Sequence, residues 1–247
     1  MIFKNCFRKG YKFLYLIFLM LLTSLTAFSY EKPLKNYALA LNQKEISYYQ
    51  YIEKDTTVFE ITVSLFMRDN MKVWEVISSP QSSEGSTIAY LMNDSDHQVI
   101  SLDQTKDYTQ VHWTFSGNKA LLQGKVKGEN LHKEIKLPQN VNFDFYDTMR
   151  RFDFSKKKGV SFTMVLPHSN PSSPSFQSFD YKYIGDEKIT TNLGTFDCYK
   201  IKLTLSFPYS LFYTGYFWIE KTPARRLIKG MQRQGTFELV KYEVTNR

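Results

Sequence analysis

The sequence predicts a mainly β fold, an antiparallel meander rolled into a barrel or a strongly curved half-barrel, with one short helix near residues 143–152. Three observations carry this. Apolar and polar residues alternate at period two along most of the chain, and turn signals rich in Gly, Asn and Asp separate the alternating runs. A hydrophobic share of 43% is enough for a packed core, and two cysteines are too few for a disulfide scaffold.

Residues 1–29 stand apart. Lys4, Arg8, Lys9 and Lys12 precede an apolar run from Phe13 to Leu22, and Ala27 and Ser29 supply the small residues of a cleavage site. This is the layout of a secretory signal peptide cut after Ser29, leaving one β-rich exported domain over 30–247. The alternative is an uncleaved N-terminal membrane anchor. Against it, Phe13 to Phe28 is 16 residues long and contains Thr23, Ser24 and Thr26, where a span needs roughly 20 apolar residues. Cys6 leaves with the signal, and no cysteine stands just after the apolar run to carry a lipid. Removing residues 1–29 takes away four positive charges and no negative ones, so the remaining 218 of 247 residues carry +4 rather than +8. A charge of that size, spread evenly in an exported chain, argues against a nucleic-acid partner.

The elements follow in chain order. Residues 31–46 fit a helix or a strand. From about Ser47 the period is two, clearest over Thr57 to Phe66, where Phe59, Ile61, Val63 and Leu65 alternate with Glu60, Thr62 and Ser64. Further strands are expected over Lys72–Ser78, Ser86–Met92, Tyr108–Ser116 and Ala120–Lys127. The spacing of Phe143, Tyr146, Met149 and Arg150 within Asn140–Phe154 predicts the short helix. Strands resume over Val160–Leu166, Phe176–Ile184, Cys198–Phe207, Phe212–Glu220, Arg226–Arg233 and Thr236–Val244. Turns are expected at Asp69-Asn70, Asn93-Asp94, Gly117-Asn118, Gly128, Gly185-Asp186 and Asn192-Leu193-Gly194. Pro167 to Ser175 contains three prolines and reads as a loop. No repeat or linker divides the chain, although two interlocked β halves joined through the helix near residue 147 fit the same pattern.

The chain carries no nucleophile elbow, zinc-protease motif, phosphate-binding glycine loop or dinucleotide fingerprint, so no catalytic residue, metal or cofactor is assigned. His97, His112, His132 and His168 stand singly. The carboxylate pairs Asp94 with Asp96 and Asp144 with Asp147 sit where turns and helix starts use aspartate for backbone bonding. Cys198, far in sequence from any histidine, reads as a small buried hydrophobe. The basic run Lys156-Lys157-Lys158, after Arg150-Arg151, fits a solvated loop or a peripheral contact with anionic lipid headgroups.

The aromatics say more. Phe212, Tyr213, Tyr216, Phe217 and Trp218 load both faces of one segment, and Trp74, Trp113 and Phe115 add bulk elsewhere. A strand that is aromatic on both faces needs cover on both, either from core packing or from an apolar ligand. Phe212, Tyr216, Trp218, Trp113 and Trp74 are therefore the candidate ligand-binding residues.

The C-terminal half carries a further pattern. Met149-Arg150-Arg151-Phe152-Asp153-Phe154 is followed by Lys158-Gly159-Val160-Ser161-Phe162 and then by Gly185 through Lys200, a hairpin with a glycine turn and a Tyr199-Lys200 pair. Phe217-Trp218-Ile219-Glu220 and Pro223-Ala224-Arg225-Arg226-Leu227 complete it. Over about 100 of the 218 residues this resembles the bacterial exported domain-of-unknown-function family 3108. Where that family would place an aspartate shortly after Trp218, Glu220-Lys221-Thr222 stands instead. The resemblance implies a β-rich barrel or strongly curved sheet in the periplasm of a Gram-negative bacterium, with no agreed activity or catalytic residues. Its general shape is similar to the periplasmic half-barrels that carry lipoproteins.

The function expected is binding of an apolar or lipid-like ligand in the cell envelope, without catalysis. The alternatives are a structural module pairing with an envelope protein, and an enzyme acting on envelope carbohydrate or lipid. Intact-mass measurement of the protein recovered from the periplasm is expected to show a chain beginning at Tyr30. Recovery of the full chain in the membrane fraction would establish the anchor instead.

Overall fold

The computed structural model describes residues 39–246 apart from 53–55, 82–85, 96–97, 139–140, 144, 153, 155–158, 167–171 and 234. The signal segment, Lys156 to Lys158, Asp96, His97, Asp144 and His168 lie outside the described residues, as do the side chains of Tyr146 and Asp147.

A first meander comprises β1 (Gln43–Ile52), β2 (Thr56–Arg68), β3 (Met71–Pro80), β4 (Thr87–Asn93), β5 (Val99–Lys106), β6 (Thr109–Ser116), β7 (Lys119–Val126) and β8 (Glu129–Lys136). After β9 (Val141–Asn142) comes the short helix, α1 (Phe145–Arg150). The second meander comprises β10 (Val160–Leu166), β11 (Ser175–Thr191), β12 (Gly194–Leu205), β13 (Thr214–Glu220), β14 (Leu227–Gln232) and β15 (Thr236–Asn246). All fifteen strands belong to one sheet, in the order β8 to β1, then β15 down to β9. The two meanders join where β1 pairs with β15, from Gln43 opposite Asn246 to Ile52 opposite Thr236. Every pairing is antiparallel except the two-residue contact of β9 with β10.

The sheet is strongly curved and does not close. Register shifts at Tyr48/Tyr49, Leu91/Met92, Tyr183/Gly185 and Trp218/Ile219 place irregularities in four strand pairs, and such bulges bend and twist a strand. The curl brings the far edges within side-chain reach: the rings of Phe115 and Phe143 lie 4.9 Å apart, and Lys133 Nζ donates to the Ser172 carbonyl at 3.1 Å. Both edges are blunted against strand addition, β8 by Glu129, Lys133, Glu134 and Lys136, and β9 by being two residues long.

Three departures from the sequence expectations have physical reasons. Gly185-Asp186 is not a turn but a bulge within the 17-residue β11, where Gly185 takes φ of +147°. The sequence expectations do not include β5 and β8, because neither alternates cleanly: β5 buries a polar Gln104 beside Leu102 and leaves Ile100 exposed, and β8 places Glu129 and Lys133 on the same side as Leu131 and Ile135. Phe212 is not in a strand: the chain turns through residues 206–213, and β13 starts at Thr214.

The concave face holds the core. Trp74, Trp113, Leu102 and Leu122 fill the first meander, while Phe162, Phe179, Tyr181 and Ile201 fill the second. Helix α1 lies against this interior. Phe145 meets Phe179 edge-on at 5.1 Å, and Met149 is buried. Its last residue, Arg150, is 1% exposed and bonds Glu45 Oε1 of β1 at 2.7 Å and the Ala224 carbonyl. Arg226 continues the cluster, with Nε 3.2 Å from Glu45 Oε2 and an amino nitrogen 3.1 Å from Glu220 Oε1. The guanidinium of Arg226 also lies 3.9 Å from the ring centroid of Tyr242. Two arginines thus balance two glutamates in a water-poor setting, where an unbalanced charge would be strongly penalised.

Replacing Arg150 alone leaves Glu45 with only Arg226, which it shares with Glu220, so the buried cluster carries an uncompensated negative charge, and R150L is expected to lower stability by about 3–5 kcal/mol. The E45L/R150L double variant, in which Arg226 keeps Glu220, should recover most of that loss. Urea unfolding of the two variants checks both outcomes.

Candidate functional site

The site is built from the inward faces of the strands that flank the β1–β15 junction. β1 supplies Tyr49 and Tyr51, β2 Phe59 and Ile61, β13 Phe217, and β15 Phe237, each at a strand position where period-two alternation points the side chain inward. With Phe145 and Met149 from α1, these side chains line a half-open cavity of about 250 Å³. Leu227, Ser78 and Gln232 complete the lining. The walls are held by ring contacts: Tyr49 stacks on Phe59 at 5.3 Å and meets Phe237 edge-on at 6.2 Å, and Phe217 lies 5.8 Å from Phe237.

Gly230 makes room for one wall. A Cβ at this position would fall within 2.1–2.8 Å of the Phe237 ring, so the ring can lie across the β14 backbone only because Gly230 has no side chain. The polar liners lie toward one end. Tyr51 is next to the last residue of β1, Gln232 ends β14, and Ser78 is two residues from the end of β3. Tyr213, just before β13, stands beside that end, and its hydroxyl is pushed up to about 12 by burial and then by Tyr51.

None of the five residues singled out from the sequence lines this cavity. Trp113 and Trp74 are core, 0% and 2% exposed, and the Trp74 indole donates to Asp94 at 2.7 Å. Phe212 is 72% exposed in the 206–213 turn. Tyr216 and Trp218 sit on the convex face of β13, opposite Phe217. Trp218 is shielded by Lys200, whose ammonium is 5.0 Å from its ring, and by Glu187, which accepts its indole N–H at 3.1 Å. Lys200 also pairs with Glu187 at 2.8 Å. These two hydrogen bonds, the Lys200 one first, hold the Glu187 carboxyl below its usual range. The long lysine covers the aromatic surface and keeps its charge in water.

The residues that line the cavity come from distant parts of the chain. The signal that could have found them is the parity of β13: Phe217 and Ile219 are wholly apolar, whereas Tyr216 and Trp218 have polar tips.

Among the described residues, two histidines have polar partners. His112 pairs with Asp103 at 2.7 Å, and His132 meets Gln123 at 3.3 Å. Among the described residues no group of three or more His, Cys, Asp or Glu side chains is placed to hold a metal. Glu45 and Glu220 are the carboxylates brought together in the interior, and arginines occupy both.

The fold therefore defines a class, the β-barrel-like sheets curled around an interior helix. No protein family and no curated protein matches the chain in sequence. In structure it is similar to a β-barrel-like protein of domain of unknown function DUF1849 from Brucella abortus, with a TM-score of 0.53 and 8% identity over 84% of this chain and 100% of that one. An exported protein with a YmcC-like fold from Bacteroides fragilis aligns over 84% of this chain and 98% of its own, at a TM-score of 0.34 and 9% identity. The hypothetical lipoprotein YmcC from Escherichia coli aligns over 85% and 90%, at 0.30 and 13%. The likeness to the Brucella protein defines the fold of this chain and nothing finer.

Cys198 offers a direct test of how firmly β12 is held between β11 and β13. It is 0% exposed, and burial first, then the nearby Glu220 and Asp197 charges, push its thiol up to about 12 from 9.0. The folded chain keeps this proton at a pH where the unfolded chain releases it. Stability is thus expected to fall as pH rises from about 9 toward 12, with no contribution from this group below 9. A thiol reagent at about pH 8 should leave the native protein unmodified and react after unfolding. Modification of the folded protein would show that the strand opens.

Proposed function

We propose that the protein is an exported, non-catalytic half-barrel that holds one apolar or amphipathic, lipid-like ligand in the cavity beside Phe217. The single observation that carries this reading is the cavity itself, about 250 Å³ and walled by Tyr49, Phe59, Phe145, Phe217 and Phe237. Cores close-pack, so an aromatic-walled space of this size is a place for a ligand. Its volume lies a little under the roughly 300 Å³ at which sites for drug-sized molecules begin, which favours a single alkyl chain or one ring system over the body of a two-chain lipid. Ser78, Gln232 and the Tyr51 hydroxyl, toward one end, suit the polar head of such a molecule.

Location in the cell envelope, and the periplasm in particular, is supported by the signal-like first 29 residues. The non-catalytic reading is supported by a sequence without a nucleophile elbow, zinc-protease motif, phosphate-binding glycine loop or dinucleotide fingerprint. Tyr216, Trp218, Trp74 and Trp113 then act behind the walls, as parts of the sheet that shapes them.

Native mass spectrometry of protein purified without detergent is expected to show a bound lipid-like molecule. I61W, which fills the cavity from β2, should weaken binding of a fluorescent acyl probe about tenfold or more, equivalent to roughly 1.4 kcal/mol, while the folded far-ultraviolet spectrum is retained. No bound molecule, together with equal probe binding by I61W and the parent protein, would end this reading.

A further inference from the structure

The connection from β12 to β13 is unlike the other turns. Over residues 207–212 it reads Phe-Pro-Tyr-Ser-Leu-Phe, and Phe207, Tyr209, Leu211 and Phe212 are 78%, 57%, 93% and 72% exposed. Single exposed hydrophobes are ordinary, but four within six residues form a patch that requires an explanation. Two successive turns order the segment, Tyr209 N donating to the Ser206 carbonyl and Phe212 N to the Tyr209 carbonyl, both at 3.0 Å. Its foot is fixed by Ser206, which bonds Asp180 through Oγ at 2.7 Å and the Ser178 carbonyl through its amide at 3.0 Å. At the other foot, Tyr213 packs edge-on against Phe179 at 5.9 Å. The loop is thus footed on the sheet with its apolar side chains turned outward.

The antiparallel register places this loop on one rim of the sheet, together with the turns after β5, β7 and β14. Tyr108, in the turn after β5, is 84% exposed. Lys106, Lys125, Lys127 and Arg233 are exposed in these turns or beside them, against Asp107 and Glu129. Cations therefore outnumber anions among the described residues of these three turns.

We propose that this rim docks on a lipid bilayer, with Phe207, Leu211 and Phe212 inserted among the upper acyl chains. Tyr209 and Tyr108 sit at headgroup depth, where amphipathic aromatic rings are favoured. The four cations face anionic headgroups. A bilayer is favoured over a protein partner because the patch is a projecting knob: a protein would have to present a matching groove, whereas a fluid interface adapts to the knob. The excess of cations among the described residues of these three turns matches the charge of such a surface. The proposal rests on the exposed loop and holds whether or not the cavity takes a ligand. Because the polar end of the cavity, at Tyr51, lies beside Tyr213 at the foot of this loop, docking would also bring that end toward the membrane.

The test uses the full chain with a tryptophan reporter, L211W, and phosphatidylethanolamine–phosphatidylglycerol vesicles whose acyl chains are brominated. Vesicles should quench the reporter, and the quenching should be lost in L211W/F212D. A reporter on the opposite rim, M71W, should stay unquenched even if the N-terminal apolar segment tethers the chain to the vesicle. Absence of quenching at 211, or equal quenching at 71, would overturn the proposal, the former assigning the patch to a protein partner. Acyl-probe binding by F212D should equal that of the parent, so failure of membrane docking and failure of the ligand reading are read separately.

Discussion

The buried pair of Glu45 and Arg150 is the contact on which the rest of the interior depends. A helix of six residues has no stability of its own in water, so α1 persists only through what it touches. Phe145 and Met149 give it apolar contact, but those contacts alone would allow it to slide along a smooth aromatic surface. Arg150 removes that freedom. It joins the first strand, the helix and the β13–β14 connection through Glu45 and Ala224, partners 105 and 74 residues away. The helix in turn supplies one wall of the cavity. Because Arg226 and Glu220 complete the charge balance, the anchor brings no net charge into the interior. It also fixes one geometry, since any displacement leaves a buried ion without its partner.

Much of the fold could be read from local pattern. Val160–Leu166 is a strand at the bounds expected, and the helical spacing around Met149 and Arg150 marks α1. Alternation works there because one face of each element is buried and the other is not. It fails for β5 and β8, which lie on the more solvated part of the sheet, β5 burying only Leu102 and Gln104 and β8 burying no residue fully. It misleads at Gly185, since a glycine that permits positive φ serves a bulge as well as a turn.

The cavity was less legible, for two physical reasons. Its walls are contributed by β1, β2, β13, β15 and α1, and only the closing of the β1–β15 junction brings these together. Within β13, large aromatic residues occupy both faces, so residue size cannot tell which side is concave. The polar tips of Tyr216 and Trp218 decide it, because a convex face can satisfy them with Lys200 and Glu187 while the interior cannot do so as readily. Nor does anything local mark the Glu45–Arg150 pair: at that separation a charge match is a property of the fold alone.

The apposed edges of the sheet bear on how the interior behaves as a container. Across every strand boundary from β8 round to β9, backbone hydrogen bonds fix the spacing. Toward the gap between those two edges, contacts include the ring pair of Phe115 on β6 with Phe143 and a β8 lysine reaching the Ser172 carbonyl. The circumference is therefore set there by side chains, which can change rotamer without breaking a ladder. A wall with one such elastic joint can widen to admit a bulkier guest at the cost of a few dispersion contacts, whereas a closed barrel would have to tear main-chain bonds to do the same.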